Sequence, residues 1–152
     1  MSGPVLELAR LRDRLPASAR VVLTNGIFDL LHVGHLRYLR QARALGDLLV
    51  VGVNADVAVH KPGRPLVPEI ERAELVAALE PVDFVVIFNS ATADALLREI
   101  RPAIYVKGAD YSEGTLPEAA TAREVGAELK FIPLVQGRST TQLVERLSCA
   151  RG

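Results

Sequence analysis

Two of the three histidines in this 152-residue chain flank a glycine at a spacing that suits phosphate binding. They belong to the segment HVGH, residues 32–35, which follows the segment TNGIFD, residues 24–29. A helix that begins here offers unpaired N–H groups and the positive end of its dipole. The imidazoles of His32 and His35 can donate to anionic oxygens, and Gly34 leaves room for a phosphate against the backbone. The pattern therefore indicates a phosphate site.

Two other interpretations of the histidines stay open. In the first, His32 caps the helix and His35 packs in the core. In the second, the pair binds zinc, although the segment has neither cysteine partners nor the HExxH spacing. The chain's one cysteine, Cys149, excludes an internal disulfide and favours a reducing compartment.

Four further segments carry groups that suit a nucleotide or its phosphates. They are KPGRP (61–65) with two cations, Glu71-Arg72, VKGADY (106–111), and GRSTT (137–141) with three consecutive hydroxyl groups. Each also has a plainer explanation: respectively a solvated loop, a surface ion pair, a Gly-Asp turn and capping of the last helix. The residue types alone leave these alternatives open.

The elements that position these segments follow from five short apolar runs that alternate with segments of helical period. Strands are predicted at 20–24, 48–53, 84–88, 104–107 and 129–133. Helices are predicted at 4–15, 33–45 (ended by Gly46), 68–79, 92–100, 119–125 (after a capping box at 115–118) and 143–147 (after another at 139–142). Residues 56–67 are predicted to form a mobile surface loop.

This alternation predicts a three-layer α/β domain with a five-stranded parallel sheet in Rossmann-like winding. In such a sheet, ligands bind at the carboxyl ends of the strands, where the winding direction reverses. The polar segments described above follow predicted strands or open the helices after them. We therefore expect them to meet in one crevice.

The composition indicates one domain over residues 1–152, with residues 1–19 as an N-terminal helix and lead-in. Hydrophobic residues make up 49% and charged residues 24%, which excludes a disordered chain. Lys and Arg total 18 and Asp and Glu total 18, so we expect no nucleic-acid or membrane partner. No secretory signal or spanning segment is evident, which favours the cytoplasm. The absence of GxGxxG argues against a dinucleotide-binding oxidoreductase.

The motif GxFDxxHxGH, residues 26–35, resembles the signature of the cytidylyltransferase-like nucleotidyltransferases. The resemblance runs from about Val21 to Leu147. Through TNGIFD, GRPLVPEIER, VKGADY and GRSTT it is strongest to the D-glycero-β-D-manno-heptose 1-phosphate adenylyltransferases. It implies that ATP and this sugar phosphate give ADP-heptose and pyrophosphate. It also implies that Mg²⁺ is bound through the ATP phosphates, with no metal ligand from protein side chains. We expect a free-standing homodimer without a sugar-kinase half.

The same resemblance implies roles for individual residues. His32, His35 and Lys61 are expected to be catalytic. The residues expected to bind the nucleotide are Gly26, Ile27, Phe28, Gly34, Arg72, Gly108, Asp110, Ser139, Thr140 and Thr141. The residues expected to bind the acceptor substrate are Asn25, Asp29, Arg64, Lys107 and Tyr111. Loop length leaves open whether Lys61 or Arg64 contacts the phosphates.

Two other functions stay open at this point. One is a CTP-dependent enzyme that acts on glycerol 3-phosphate or a similar alcohol phosphate. Leu134 stands where that branch of the family carries an arginine, which disfavours it. The other is a catalytically silent nucleotide-binding module.

Overall fold

Five parallel strands form one sheet in the computed structural model, which describes residues 4–133 and 140–149. The strands are β1 (Val21–Gly26), β2 (Leu48–Asn54), β3 (Phe84–Phe88), β4 (Ile104–Gly108) and β5 (Glu128–Ile132). Their order across the sheet is β3-β2-β1-β4-β5, and every neighbouring pair is parallel. The winding direction therefore reverses between β1 and β4, where a ligand crevice is expected.

Helices cover both faces of the sheet. They are α1 (Leu8–Arg14), α2 (Val33–Arg43), α3 (Glu69–Ala77), α4 (Asp94–Ile100), α5 (Ala119–Glu124) and α6 (Thr140–Cys149). One hydrophobic cluster joins α1, α4 and α5 to the sheet through residues such as Leu96 and Leu23. A second cluster joins α2 and α3 to the opposite face through Leu39, Ala73 and Val22. The predicted three-layer fold with five parallel strands is confirmed.

This two-sided packing explains why the strands read as continuous apolar runs. In β1, Leu23 faces the layer that contains α4 and α5, whereas Val22 faces the layer of α2 and α3. Both side chains are fully buried. A strand buried on both faces carries few polar side chains between its two ends, and those of Thr24 and Tyr105 are hydrogen-bonded.

The N-terminal segment differs from the predicted helix over residues 4–15. The helix begins only at Leu8, and residues 4–6 run beside β3 instead. The Leu6 N–H donates to the Val85 carbonyl at 2.8 Å, and the Val85 N–H donates to the Pro4 carbonyl at 3.0 Å. This segment thereby satisfies backbone groups at the exposed edge of the sheet.

The start of α5 and the end of α2 are determined by other contacts than the sequence patterns predicted. The capping box at 115–118 is wrong: the Thr115 hydroxyl accepts from the Ser112 N–H, and Glu118 precedes α5 without capping it through its side chain. Gly46 follows α2, but its role is close approach rather than a left-handed conformation. A Cβ at Gly46 would lie 2.5 Å from the Arg20 carbonyl oxygen.

No helix in the described part of the chain is long and apolar enough to cross a membrane.

The close approach at Gly46 predicts that Gly46→Ala destabilises the fold. The added methyl group would meet a backbone carbonyl at 2.5 Å and the Val22 side chain at 2.8 Å. Relief of this overlap requires movement of the backbone, so we expect the free energy of unfolding to fall by about 1–3 kcal/mol. Urea denaturation measures this change. Gly114→Ala is the matched control, because no heavy atom would lie within 4 Å of its Cβ. Equal losses in both variants would contradict the explanation.

Candidate active site

A cleft of about 480 Å³ opens at the carboxyl edge of the sheet. Its lining comes from the ends of β1, β2 and β4, from two residues that precede α4, from residues 58–61, and from the start of α5. The cleft thus lies at the predicted switch point of the sheet. Six of the residues that line it were predicted from the sequence as site residues: Asn25, Gly26, Ile27, Lys61, Lys107 and Tyr111.

The turn between β1 and α2 has an unusual backbone. Phe28 and Leu30 have φ values of 55° and 56°, in the left-handed region that side chains other than glycine seldom adopt. The Phe28 ring is buried, 5.7 Å from the His35 ring between centroids. A Cβ at Gly26 would lie 3.1 Å from that same ring, so Gly26 provides the space that the folded-back ring occupies.

Both histidines of HVGH cap the helix that they begin. His32 is the residue before α2, and its Nδ1 accepts from the Gly34 N–H at 3.0 Å. His35 reaches back, and its Nδ1 accepts from the His32 N–H at 3.1 Å. The two rings lie 4.0 Å apart between centroids. Each neutral imidazole therefore carries its proton on Nε2, because its Nδ1 is occupied as an acceptor.

The environment keeps His35 uncharged at neutral pH. Burial, and after it the charge of neighbouring His32, lower the pKa of His35 from 6.5 to about 4. A neutral ring can accept at Nδ1 and donate at Nε2 at the same time, which an imidazolium cannot do. The capping interpretation and the phosphate interpretation are therefore compatible, because they use different nitrogens of each ring. The Gly34 N–H, in contrast, is already engaged by His32.

Asp29 holds residues 64–67, which precede α3, in place. Its carboxylate is completely buried and accepts from the Arg64 guanidinium at 2.6 Å, the Leu66 N–H at 2.9 Å and the Val67 N–H at 3.0 Å. Burial alone would raise the pKa of Asp29, but these three donors hold it below its usual value. Asp29 and Arg64, both expected to bind substrate, thus bind each other in this conformation.

Arg72 also differs from the sequence-based expectation. Its side chain is fully buried, and four hydrogen bonds direct its guanidinium into the protein. It donates to the carbonyls of Ile27 at 2.6 Å, Asn54 at 2.8 Å and Val67 at 2.8 Å, and to the Asp56 carboxylate at 2.6 Å. Arg72 does not line the cleft, so its expected contact with phosphates stays a prediction that this conformation does not support.

Two lysines supply the positive charge in the cleft lining. Lys61 is exposed, and within the described ranges its ammonium pairs with no carboxylate. Lys107 is less exposed: its Nζ donates to the Asn25 carbonyl at 3.3 Å and lies 5.3 Å from the centre of the Tyr111 ring. Burial lowers the pKa of Lys107, and the carboxylates of Glu118 and Asp110 partly oppose this shift.

Comparison with known proteins identifies the family. Residues 23–147 match the family described as Cytidylyltransferase-like. The chain belongs to this family. The predicted recognition as a cytidylyltransferase-like nucleotidyltransferase is therefore confirmed.

Among individual members, the Bifunctional protein HldE of Syntrophotalea carbinolica is 47% identical over 146 residues, which are 94% of this chain and 29% of that protein. The Bifunctional protein HldE of Geotalea uraniireducens is 47% identical over 135 residues, 84% of this chain and 27% of that protein. This chain thus spans less than a third of the length of these curated relatives.

A solved structure of the same fold is the lipopolysaccharide core biosynthesis protein of Thermoplasma volcanium. It has a TM-score of 0.67 and 27% identity over 80% of this chain and 100% of that chain. Pantothenate synthetase of Thermus thermophilus has a TM-score of 0.61 at 20% identity, covering 86% of this chain and 62% of that one, which is evidence for the fold alone.

The remaining sequence-predicted residues of this cytidylyltransferase-like chain are not among those that line the cleft in the described part of the structure. Gly108 ends β4 and is buried, and Asp110 is exposed two residues later. Thr140 opens α6, and Thr141 is exposed in its first turn. Ser139 and Leu134 lie outside the described residues.

Several residues that line the cleft were not predicted from the sequence. They include Asn54, His60, Thr92 and Glu118. Asn54 ends β2 and Thr92 follows β3, so the switch-point argument applied to every strand would have found them. Glu118 was not considered as a site residue, because the sequence pattern at residues 115–118 predicted that its side chain caps a helix.

The described residues give no sign of a metal centre built from side chains. Within residues 4–133 and 140–149, no group of three or more His, Cys, Asp or Glu side chains is placed to hold a metal ion. The buried carboxylate of Asp29 and the Asp56 carboxylate are each paired with an arginine. The cleft lining of this nucleotidyltransferase fold contains two ammonium groups and one carboxyl group, a balance of charge that suits phosphate oxygens rather than a cation.

The capping geometry predicts a pH dependence of stability that His35→Gln removes. The unfolded chain protonates His35 below pH 6.5, whereas the folded chain resists protonation down to about pH 4. The contribution of His35 to stability is therefore complete above pH 6.5 and is lost as the pH falls toward 4. Glutamine can still accept from the His32 N–H but does not titrate. Urea denaturation at several pH values should give a smaller acid-side loss for His35→Gln, and parallel curves would contradict the assignment.

Proposed function

We propose that this chain is an adenylyltransferase that joins ATP and D-glycero-β-D-manno-heptose 1-phosphate to give ADP-heptose and pyrophosphate. The observation that carries the proposal is the pair of HVGH imidazoles, whose Nδ1 atoms cap the start of α2. This helix begins at the same carboxyl edge of the sheet at which the two lysines line the cleft. The choice of heptose rests on the resemblance of GRPLVPEIER and VKGADY and on the HldE relatives. The solved relative in lipopolysaccharide core biosynthesis supports a role in the synthesis of surface-glycan precursors.

The proposed reaction is a direct displacement at phosphorus. A phosphate oxygen of the sugar 1-phosphate forms a bond to the α-phosphorus of ATP, and the bond from that phosphorus to the bridging oxygen of the β-phosphate breaks. Pyrophosphate leaves with that electron pair. No side chain needs to form a covalent bond or remove a proton from the attacking oxygen. The task of the protein is to orient the reactants and stabilise the charge that develops.

The described side chains divide this task. The Nε2–H groups of His32 and His35 donate to oxygens of the α-phosphate, and their fixed Nδ1 contacts hold the rings in place before the substrate arrives. Lys61 neutralises the departing pyrophosphate from the exposed loop. Lys107, on the β4 side of the cleft, binds the phosphate of the acceptor.

Mg²⁺ fits this arrangement as a partner of the ATP phosphates. The cleft offers ammonium groups and amide side chains rather than a cluster of carboxylates, so the nucleotide itself would provide most of the metal ligands. When bound, Mg²⁺ supplies further neutralisation of the charge on the phosphates.

The cellular setting is part of the same proposal. ATP and a sugar 1-phosphate are substrates of cytoplasmic chemistry, which supports the predicted cytoplasmic location without a nucleic-acid or membrane partner. The predicted homodimer rests on family resemblance.

A matrix of substrates tests the proposed function. ATP, CTP, GTP and UTP are each combined with heptose 1-phosphate, mannose 1-phosphate and glycerol 3-phosphate, and pyrophosphate release is measured. A site that hydrogen-bonds the hydroxyl groups of its substrate rejects acceptors that lack them. We therefore expect kcat/KM for ATP with heptose 1-phosphate to exceed that for CTP with glycerol 3-phosphate by more than about tenfold. The reverse order would favour the cytidylyltransferase alternative. Nucleotide binding without pyrophosphate release from any pair would favour the silent module.

Lys61→Ala and Arg64→Ala distinguish the roles of the two cations in the 61–65 loop. Loss of a preorganised charge at the leaving group should lower kcat/KM by about 10²–10³-fold. Stability should be unchanged, because Lys61 is exposed. Arg64→Ala should instead lower the free energy of unfolding by about 3 kcal/mol, because it leaves the buried Asp29 carboxylate without its ion partner.

Lys130→Ala is the matched control for Lys61→Ala, since it removes an exposed lysine on β5 that pairs with Glu128. It should leave both activity and stability close to those of the wild type. Full activity in Lys61→Ala, together with low activity in a stably folded Arg64→Ala, would assign the phosphate contact to Arg64.

A further inference from the structure

Glu118 is a buried carboxyl group in the wall of the cleft. It is 6% exposed and precedes α5, but its side chain does not cap that helix. The side chain lies instead toward β4, where one carboxyl oxygen is 3.5 Å from the Tyr105 hydroxyl. That separation is long for a hydrogen bond between oxygens, which usually measures 2.5–3.0 Å.

The Tyr105 hydroxyl cannot fully satisfy this carboxyl group. It has one proton, and it donates that proton to the side-chain oxygen of Asn25 in a much shorter contact. Tyr105 is completely buried. Burial, followed by the charge of Glu118, raises the pKa of Tyr105, so the hydroxyl remains a neutral donor. The carboxyl oxygen of Glu118 therefore retains strong capacity to accept another hydrogen bond.

Several groups act on the charge of Glu118. Burial raises the pKa of Glu118, the Lys107 ammonium opposes this shift, and the Asp94 carboxylate adds to it. Hydrogen bonds from the Tyr105 hydroxyl and from the N–H of Glu118 itself also lower the pKa. A buried carboxyl group is costly for a fold unless donors surround it. Two donors reach this carboxyl group, the Tyr105 hydroxyl at 3.5 Å and the N–H of Glu118 itself. A carboxylate has about four acceptor positions, so a ligand with several hydroxyl groups can donate to those that remain.

The position of Glu118 in the fold indicates which substrate it meets. It opens α5, and Thr92 precedes α4, so both belong to the layer on one face of the sheet. The HVGH imidazoles open α2, which covers the other face. Ala91, Thr92 and Pro117, which have small side chains, line the same cleft as Glu118. The Thr92 hydroxyl donates to Asp94 and keeps its lone pairs as further acceptors.

We propose that Glu118 is a specificity-determining residue that accepts hydrogen bonds from sugar hydroxyl groups of the acceptor, on the α4 and α5 side of the cleft. This inference rests on the proposed function, because it concerns the sugar phosphate of that reaction. Lys107 binds the phosphate of the same molecule. The acceptor is thus recognised by Glu118 through its hydroxyl groups and by Lys107 through its phosphate. An acceptor with a phosphate and few hydroxyl groups would cover Glu118 without donating to its remaining acceptor positions, and the site would disfavour it.

Glu118→Gln tests this inference by kinetics. The variant keeps the shape of the side chain but removes the charge, and hydrogen bonds to charged groups are the stronger ones. We expect KM for heptose 1-phosphate to rise by about 10–100-fold, while KM for ATP and the urea midpoint stay near the wild-type values. Glu113→Gln is the matched control. Its carboxylate lies in the same loop before α5, is 61% exposed, and pairs with Arg123 outside the cleft.

Deoxy analogues of the acceptor show whether the carboxyl group contacts a hydroxyl group directly. Wild type and Glu118→Gln are compared with heptose 1-phosphate and with its single-deoxy derivatives. For the derivative that lacks the contacted hydroxyl group, we expect the two proteins to have similar KM values. Glu118→Asp, which keeps the charge but withdraws it by one methylene, should also raise KM for the sugar phosphate selectively.

The outcomes separate this inference from the function on which it rests. If the wild type is active and Glu118→Gln leaves KM for every sugar phosphate unchanged, the inference is overturned and the function stands. If Glu118→Gln and Glu118→Asp raise the KM values of ATP and sugar phosphate equally and lower stability, Glu118 is structural and the inference is again overturned. A wild type that releases pyrophosphate with no sugar phosphate would overturn both.

Discussion

The guanidinium group of Arg72 joins the parts of the chain from which the cleft is built. At the carboxyl end of a parallel sheet, the backbone carbonyls leave the ladder and need new donors. Arg72 donates to the Asn54 carbonyl at the end of β2 and to the Ile27 carbonyl just beyond β1. Its other donors reach Val67 and Asp56 in the following loop. One planar cation thus fixes three chain segments at the edge that carries the cleft, and its loss would leave several buried acceptors without partners.

A second layer of constraint lies between this polar core and the histidines. Asp29 holds residues 64–67 to the β1–α2 turn, and that turn contains the left-handed Phe28 and Leu30. Such backbone conformations cost of order 1–3 kcal/mol each and persist where surrounding contacts determine them. The strained turn places His32 and His35 so that each ring caps α2 through Nδ1. The conformational free energy spent in the β1–α2 turn therefore orients the imidazoles of His32 and His35, which are proposed to contact the phosphate.

Much of this arrangement could be predicted from the sequence, for identifiable reasons. Continuous apolar runs identify strands buried on both faces, and the rules of parallel connections then bring the strand ends to one edge. HVGH was found because its residue types and spacing are unusual. The inward direction of Arg72 was not found, because an arginine that binds carbonyls and one that binds phosphates look alike in a sequence. Glu118 was missed because Thr115 stands three residues before it and imitates a capping box, whereas its actual neighbours come from β1 and β4.

The two kinds of cation at this edge serve different purposes because their shapes differ. The arginines, Arg64 and Arg72, have planar forks and are paired with Asp29 and Asp56, so their charge is already neutralised inside the protein. A rigid fork suits fixed partners such as carbonyls and a buried carboxylate. Lys61 and Lys107 line the cleft on flexible stems. A lysine ammonium is a compact charge on a flexible stem, and neither of these two ammonium groups is joined to a carboxylate by an ion pair within the described residues. In the proposed reaction, the arginines therefore hold the shape of the cleft, and the lysines are the cations that meet the substrate phosphates.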